Sequence, residues 1–225
     1  MKLLYKNNLV RVVSVIISFV IITQLLAVPV NAHEFSPSRY WNDIYYHSGM
    51  NKHVVRIKVN MTNVTNEVYN RKLRDAMNDW EWLDNGYCHM ETTTTDTTLM
   101  VYDSYPSTQN QTAFAVTVSY LSSASITYYP YTLITGGTTT ISCNKINRAV
   151  IYANTAYQQA YNFGEGDIAH TWAHELGHVI GLNETNDGTQ SVMKQGKGST
   201  LGWDNYWQPQ AHDTYDVSRY HRVTW

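Results

Sequence analysis

Residues 174–184 restrict the possible structure and chemistry of this chain more than any other segment does. Two histidines, His174 and His178, stand four residues apart and enclose Glu175. Residues four apart lie on the same face of an α-helix, so both imidazoles can bind one metal ion. Gly181 follows three residues later, and a glycine in the left-handed conformation ends a helix and reverses the chain. The segment therefore predicts a helix that ends at Gly181, after which residue 184 returns towards the histidines.

The same residues predict hydrolysis by a zinc-activated water. Zinc bound by two histidines and one further ligand lowers the pKa of its bound water to near neutrality. Glu175 lies beside the first histidine, where it can take the proton of that water and later return it to a leaving amine. We therefore expect one catalytic Zn²⁺, with His174 and His178 as ligands and Glu175 as general base and acid.

The pattern His-Glu-x-x-His-x-x-Gly-x-x-Glu resembles the long zinc motif of the metzincin metallopeptidases. The residues between its fixed positions are most similar to those of the matrixins. The triplet Ser191-Val192-Met193 resembles the Met-turn beneath the zinc in that clan. The resemblance implies that Glu184 is the third ligand and that Met193 is the floor of the site. It also implies that the strand at about 114–120 pairs with an extended protein or peptide substrate.

Several positions depart from the metzincin pattern or offer alternatives. Metzincins usually place histidine, and less often aspartate, where this chain has Glu184, although two histidines and one glutamate are a known catalytic zinc set. The other candidates for the third ligand are Asp187, Asp204 and Asp213. Gln195 stands where many metzincins carry a tyrosine that helps to hold the transition state.

His170 lies one turn before His174 on the same predicted helix. Three histidines in successive turns spread over too great a length to converge on one metal. We therefore expect His170 to support a ligand or to pack in the core.

The start of the chain resembles a secretory signal. Lys2, Lys6 and Arg11 precede an uncharged, apolar stretch that ends in Val30-Asn31-Ala32, with small residues at the cleavage positions. This layout predicts a signal peptide over residues 1–32 and a secreted catalytic domain over residues 33–225. The alternative is an uncleaved membrane anchor, because the uncharged stretch is nearly long enough to span a bilayer.

The net charge of the chain limits the classes of partner it can bind. The formal net charge of the whole chain is −2, and the predicted signal peptide contains basic but no acidic residues, so its removal makes the charge more negative. An acidic mature protein argues against nucleic acid or an anionic membrane as partner, and we expect a monomer.

Outside the cell, the two cysteines Cys88 and Cys143 predict a disulfide, the alternative being a zinc-blocking cysteine such as matrixin propeptides carry. No motif supports the structural Ca²⁺ that is common in matrixins.

Hydrophobic periodicity predicts an α/β (α+β) fold. Residues 33–52 show no period and are expected to form an arm, residues 91–95 a polar loop and residues 121–147 hairpins. The predicted strands span residues 53–59, 98–103, 113–120 and 148–154, and the predicted helices span about 66–83, 166–180 and 209–220. By resemblance to metzincins we expect a twisted, mixed, mostly parallel sheet, two long helices, zinc in a cleft and a C-terminal helix.

Two other functions remain open from the sequence. One is an inactive, zinc-stabilised binding module, and the other is a zinc amidase that acts on cell-wall peptide. The presence of Glu175 argues against the binding module, because a purely structural zinc site needs no general base.

Overall fold

The computed structural model describes residues 39–41, 44–47, 52–82, 88–106, 113–128, 139–185, 190–194 and 207–220. All of them belong to the compact unit Ala32–Trp225. The predicted signal peptide, residues 1–32, lies outside the described residues and stays a prediction. No helix in the described part of the chain is long and apolar enough to cross a membrane.

The described strands join in one mixed sheet. They are β1 (Arg39–Trp41), β2 (Ile44–His47), β3 (Lys52–Asn63), β4 (Cys88–Thr92), β5 (Leu99–Tyr102), β6 (Ala115–Tyr128) and β7 (Thr139–Ala153). Strands β4 and β5 both run parallel to β3, and β5 runs parallel to β7. Because Val59 of β3 pairs with Thr92 of β4 and with Leu99 of β5, these two strands flank β3. The sheet is mostly parallel, as predicted.

The sheet is wider than the sequence predicts. The expected arm contributes two short strands, since β1 pairs parallel with β7 and β2 pairs antiparallel with β3. Strand β4 was missed, and its Glu91 and Thr92 were wrongly assigned to a polar loop. Only Cys88 and Met90 of this strand are buried, and two apolar residues form too short an alternation to indicate a strand.

Strands β6 and β7 form one long antiparallel hairpin where several hairpins were expected. Their pairing runs from Ala115 opposite Ala153 to Tyr128 opposite Thr139, with one irregularity after Tyr120. Among the described strands only β7 pairs with β6, so β6 lies at the edge of the described sheet.

The described helices are α1 (Glu67–Trp82), α2 (Thr155–Ala160), α3 (Glu165–Ile180) and α4 (Ala211–Tyr220). Helix α1 begins where Asn66 Oδ1 accepts hydrogen bonds from the amides of Val68 (3.0 Å) and Tyr69 (3.3 Å). Such an N-cap satisfies amides that have no partner within the helix. Helices α1, α3 and α4 all lie within two residues of their predicted bounds.

Helices α1 and α3 pack together over the sheet. Trp80 Nε1 donates to the Ala173 carbonyl (2.9 Å), and Trp172 Nε1 donates to the Tyr69 carbonyl (3.0 Å), so each helix is fastened to the other by a buried indole. The buried cluster beneath them takes alternate residues from the central strands: Ile57, Val59, Leu99, Val101, Ala149 and Ile151. This core holds α3, the helix of the histidine motif, in a fixed position.

The sheet order contradicts the predicted disulfide between Cys88 and Cys143. Cys88 lies on β4 and Cys143 on β7, and β3 and β5 run between those strands. Three strand spacings amount to about 14 Å, whereas the Cα atoms of a disulfide lie within about 7 Å. The Cys88 Sγ instead contacts the Trp80 carbonyl oxygen at 3.4 Å. The prediction failed because a cysteine count carries no information on strand order.

Candidate metal centre

The centre is built on α3, which is buried along almost its whole length. Every residue from Ile168 to Gly177 is buried, including His174 and Glu175. Its start is fixed by Asp167, whose carboxylate accepts a hydrogen bond from the Gly164 amide (2.8 Å). A helix of this kind holds its polar side chains rigidly, because they cannot move without disturbing the core.

The helix ends at Gly181, the residue at which the sequence predicts its end. Gly181 has a φ of 111°, which favours glycine, and its amide donates to the carbonyls of Gly177 and His178. The amide of Leu182 also donates to the Gly177 carbonyl, at 2.9 Å. This reversal turns the chain back along the helix and brings Glu184 beside the histidines.

His174, His178 and Glu184 converge to form a group that could hold a metal ion. Their candidate ligand atoms all lie within 4.8 Å of one another. The two Nε2 atoms are 3.1 Å apart, and His178 Nε2 lies 3.9 Å from Glu184 Oε1. In a tetrahedral zinc site with bonds of about 2.0–2.1 Å, neighbouring ligand atoms lie roughly 3.3 Å apart. The 3.1 Å separation of the two nitrogens is close to this value, and the two-nitrogen, one-oxygen donor set is one that zinc accepts.

Hydrogen bonds fix the tautomers of the two histidines. His174 Nδ1 lies 2.9 Å from the Val192 carbonyl oxygen, and His178 Nδ1 lies 2.8 Å from the Leu182 carbonyl oxygen. A carbonyl oxygen can only accept, so each Nδ1 carries the proton and each Nε2 keeps its lone pair. Two lone pairs facing each other at 3.1 Å repel, and a cation between them would remove that repulsion.

Burial keeps His174 neutral. It lowers the pKa of His174 well below the ordinary value, and the charges of His178 and His170 lower it further, against a smaller rise from the hydrogen bond to Val192. A metal ligand must be deprotonated at Nε2, so this environment favours metal binding over protonation.

Glu175 lies beside this group with an unusual proton affinity. Burial raises the pKa of Glu175 to about 7; the hydrogen bond from Thr117 lowers it, and the charge of Glu184 raises it. The Thr117 hydroxyl is 2.6 Å from Glu175 Oε2. A carboxylate with such a pKa can both accept and release a proton near neutral pH, although a bound cation would lower the value. The sequence reasoning missed Thr117, because a single threonine within a strand has no distinguishing pattern.

Met193 packs against α3, the helix that carries the histidines, at Gly177. Met193 is fully buried, and a Cβ atom on Gly177 would overlap the Met193 sulfur and come within 3.2 Å of Trp80 Cζ2. Only a glycine at position 177 lets the methionine and the tryptophan approach this closely. Gly177 thus has a packing role that the sequence reasoning did not assign.

Asp213 is not part of the metal group. Its carboxylate on α4 is fully buried and accepts hydrogen bonds from Ser191 Oγ (2.5 Å), the Val192 amide (3.1 Å) and the Gln210 amide (2.8 Å). Because the carbonyl of Val192 holds His174, Asp213 fixes the turn that orients this candidate ligand. This role was missed, since only the fold brings α4 to the turn.

None of the other predicted site residues that the structure describes belongs to the candidate metal group. His170 is buried on α3 with its ring 6.2 Å from that of His174, and it is not in the metal group. Asp187, Asp204 and Gln195 lie outside the described residues. Among the described residues, no second group of metal-binding side chains is found.

Strand β6 exposes backbone hydrogen-bonding groups next to Glu175. The Asn154 amide donates to the Phe114 carbonyl (2.8 Å), so Phe114 and Asn154 form a hydrogen-bonded pair at the start of the hairpin. In an antiparallel ladder such pairs alternate with non-hydrogen-bonded pairs. The backbone groups of Ala115, Thr117 and Ser119 therefore point away from β7, towards the open edge.

Comparison with known proteins gives no further assignment. The chain matches no protein-family model, and no curated protein matches it. The chemistry of the centre is therefore argued from its own geometry: a candidate metal group, a buried carboxylate beside it and an edge strand whose Thr117 contacts that carboxylate.

Proposed function

We propose that this chain is a secreted zinc-dependent endopeptidase of the metzincin kind. The observation that carries the proposal is the placement of Glu175, a buried carboxylate beside a convergent group of two histidines and one glutamate. In this assignment His174, His178 and Glu184 are the zinc ligands, Glu175 is the general base and acid, and Met193 is the floor of the site.

Zn²⁺, when bound, supplies Lewis acidity and lowers the pKa of a water ligand to near neutrality. Glu175 takes a proton from the water that attacks the peptide carbonyl and delivers it to the leaving amine. Thr117 holds the Glu175 carboxylate in place through its 2.6 Å hydrogen bond. Val192 and Leu182 hold the histidine rings through their carbonyls, so the residues need not rearrange during the reaction.

The edge of β6 supports a protein or peptide as the substrate. An extended peptide can add to this edge as a further strand, using the outward backbone groups of Ala115, Thr117 and Ser119. Thr117 contacts Glu175, so a peptide on this edge passes the proposed base. A small amide from a cell wall would make no use of such an edge, which favours the endopeptidase over the amidase.

The buried Glu175 also favours catalysis over a zinc-stabilised binding module. A carboxylate held at a pKa of about 7 lowers stability through its desolvation and contributes nothing to a structural zinc site. A role as general base accounts for a buried carboxylate beside the histidines.

The proposal is tested by cleavage of denatured casein with residues 33–225. We expect cleavage that 1,10-phenanthroline abolishes and that added Zn²⁺ restores. Glu175→Gln is the matched control, because it keeps the shape of the side chain and removes the base. Cleavage that survives both the chelator and Glu175→Gln would contradict the proposal.

A further inference from the structure

The outer face of strand β6, turned away from α3, carries two valines and a tyrosine next to the open edge of the sheet. Thr117 contacts Glu175 of α3, so its side chain lies on the helix side of the sheet. Successive side chains of a strand point to opposite faces, and the one irregularity of β6 comes after Tyr120. The side chains of Val116, Val118 and Tyr120 therefore lie on the outer face, and we call these three residues the outer row of β6.

The outer row continues apolar rows that cross the sheet. Val116 stands opposite Tyr152 of β7, and the Tyr152 ring stacks at 5.1 Å on that of Tyr102, its partner on β5. Val118 stands opposite Val150 of β7 in the same way. Among the described strands, none continues these rows beyond β6. A strand added at this edge would extend each row by one side chain.

Tyr120 ends the outer row with a ring that is held by β7 and still accessible. The guanidinium carbon of Arg148, directly opposite on β7, lies 4.9 Å from the centroid of the Tyr120 ring. A cation over an aromatic face is attracted to it, so this contact restrains the ring. Tyr120 nevertheless exposes 48% of its surface. A second side chain can therefore pack on a ring that has little rotamer freedom left to lose.

The backbone pattern makes the outer row the place of closest contact with an added strand. The outward backbone groups belong to Ala115, Thr117 and Ser119, so a peptide on this edge forms its hydrogen-bonded pairs with these residues. The outer row then falls in the non-hydrogen-bonded pairs, whose Cα atoms lie about 4.5 Å apart instead of about 5.5 Å. Every second side chain of a bound peptide thus packs directly against a member of the outer row.

We propose that the outer row of β6 is a specificity site that selects apolar or aromatic side chains at every second residue of the substrate. The inference rests on the proposed endopeptidase function and on substrate pairing with β6. The selected side chains point away from Glu175 and the candidate metal group, so this preference is separate from any that the metal side imposes. Pairs of β-branched and aromatic side chains on neighbouring strands are favourable. A charged side chain against Val116 or Val118 loses hydration without gaining an ion pair.

The test measures kcat/KM for a set of fluorogenic peptides that share one cleaved bond. At each of the three residues on either side of that bond, valine, tyrosine, glutamate and lysine are exchanged in turn. At alternate positions, we expect the wild type to cleave peptides with valine or tyrosine about 2- to 5-fold faster than those with lysine.

Tyr120→Lys should reverse the preference at one of these positions. Opposite charges directly across from each other on neighbouring strands attract and like charges repel, so glutamate should become the best residue there and lysine the worst. Tyr120→Ser should abolish the preference at the same position, and it tests that position with a smaller change of charge. Tyr161→Lys is the matched control, because Tyr161 follows α2 and has a similar exposure of 51%. It should keep the wild-type preference at every position.

Zinc content and casein cleavage, measured on the same samples, should be retained in all three variants. Equal cleavage of apolar and charged peptides at every position would overturn the specificity site and leave the endopeptidase intact. Preferences that both Tyr120→Lys and Tyr120→Ser leave unchanged would do the same. A wild type that cleaves neither the peptides nor casein would overturn the endopeptidase as well.

Discussion

At the scale of the residue, the environment of Glu175 decides the chemistry. Its carboxylate is buried, receives one hydrogen bond from Thr117 and lies close enough to Glu184 to experience its charge. Burial and the Glu184 charge hold the proton on Glu175, and the Thr117 hydroxyl favours the ionised form. The balance between these opposing effects sets the pH above which the Glu175 carboxylate is ionised.

Removal of the Thr117 hydroxyl should shift this balance. In Thr117→Val the contribution that lowers the pKa of Glu175 is lost, so the pKa rises. Because the base must be ionised, the acid limb of the pH profile of kcat/KM should move to higher pH, by about one pH unit. Thr117→Ser keeps the hydroxyl and should leave the limb in place. An acid limb that stays unchanged in Thr117→Val would show that Thr117 does not tune Glu175.

Gly177 should be intolerant of even one methyl group. Its Cβ would overlap Met193 and crowd Trp80, so Gly177→Ala should lower the free energy of unfolding by about 1–3 kcal/mol. Gly166→Ala is the control on the same helix, because the added Cβ would meet Trp207 at an ordinary 3.7 Å. Alanine at that position should be neutral or stabilising by up to about 1 kcal/mol. Urea denaturation of both variants checks the difference, and equal effects would contradict the close packing of Met193.

At the scale of the element, α4 acts on α3 through the turn at residues 191–193. Asp213 holds Ser191 Oγ and the Val192 amide, and the Val192 carbonyl holds His174. The Met193 amide also donates to Ser191 Oγ at 2.8 Å, so the turn is fixed at three successive residues. Helix α4, which contributes no residue to the candidate metal group, thereby orients one of its members, His174.

We expect Asp213→Ala to weaken zinc binding although Asp213 is not a ligand. Loss of the anchor frees the turn, and changes to groups that orient a ligand usually weaken metal affinity about 10–100-fold. Asp167→Ala is the matched control, because it removes a hydrogen bond at the far end of α3 and should lower stability without changing zinc affinity. Competition with a fluorescent zinc chelator measures both variants. Equal affinities would show that the turn orients His174 without Asp213.

The elements differ in how far the sequence predicts them. Helices α1 and α3 were predicted almost to the residue, because long amphipathic periods and Gly181 mark them. Strand β4 and the two strands of residues 33–52 were missed, because short edge strands are selected by pairing partners rather than by their own pattern. The grouping of Glu184 with the histidines was predicted from the glycine turn, whereas Thr117 and the role of Asp213 depend on contacts between distant parts of the chain.

At the scale of the whole molecule, the sheet brings an edge strand to α3, where Thr117 of β6 contacts Glu175. Alternate residues of β6 pair with β7, and the others direct their backbone groups to the open edge. The disulfide prediction was wrong at this same scale, since three strand spacings separate the two cysteines. Sheet order follows from the global packing of helices on strands, which no local pattern in the sequence specifies.

A proline on the edge should separate substrate pairing from folding. The amide of Ser119 points away from β7, so Ser119→Pro removes a hydrogen-bond donor from the edge and none from the hairpin. We expect unchanged zinc content and a fall in kcat/KM for long peptides of about 10-fold, the value of one lost hydrogen bond to a bound strand. Ser119→Ala keeps the amide and should cleave like the wild type. Full activity of Ser119→Pro would show that substrates do not pair with β6.

The most direct test of the metal centre is the zinc content per chain, measured by mass spectrometry on residues 33–225 together with casein cleavage. We predict one zinc and cleavage for the wild type, one zinc and cleavage lowered by at least about 100-fold for Glu175→Gln, and a weakened affinity for zinc in Glu184→Gln. A wild type that binds no zinc, or a Glu184→Gln variant that binds it as tightly as the wild type, would contradict the assignment of His174, His178 and Glu184 as the ligands.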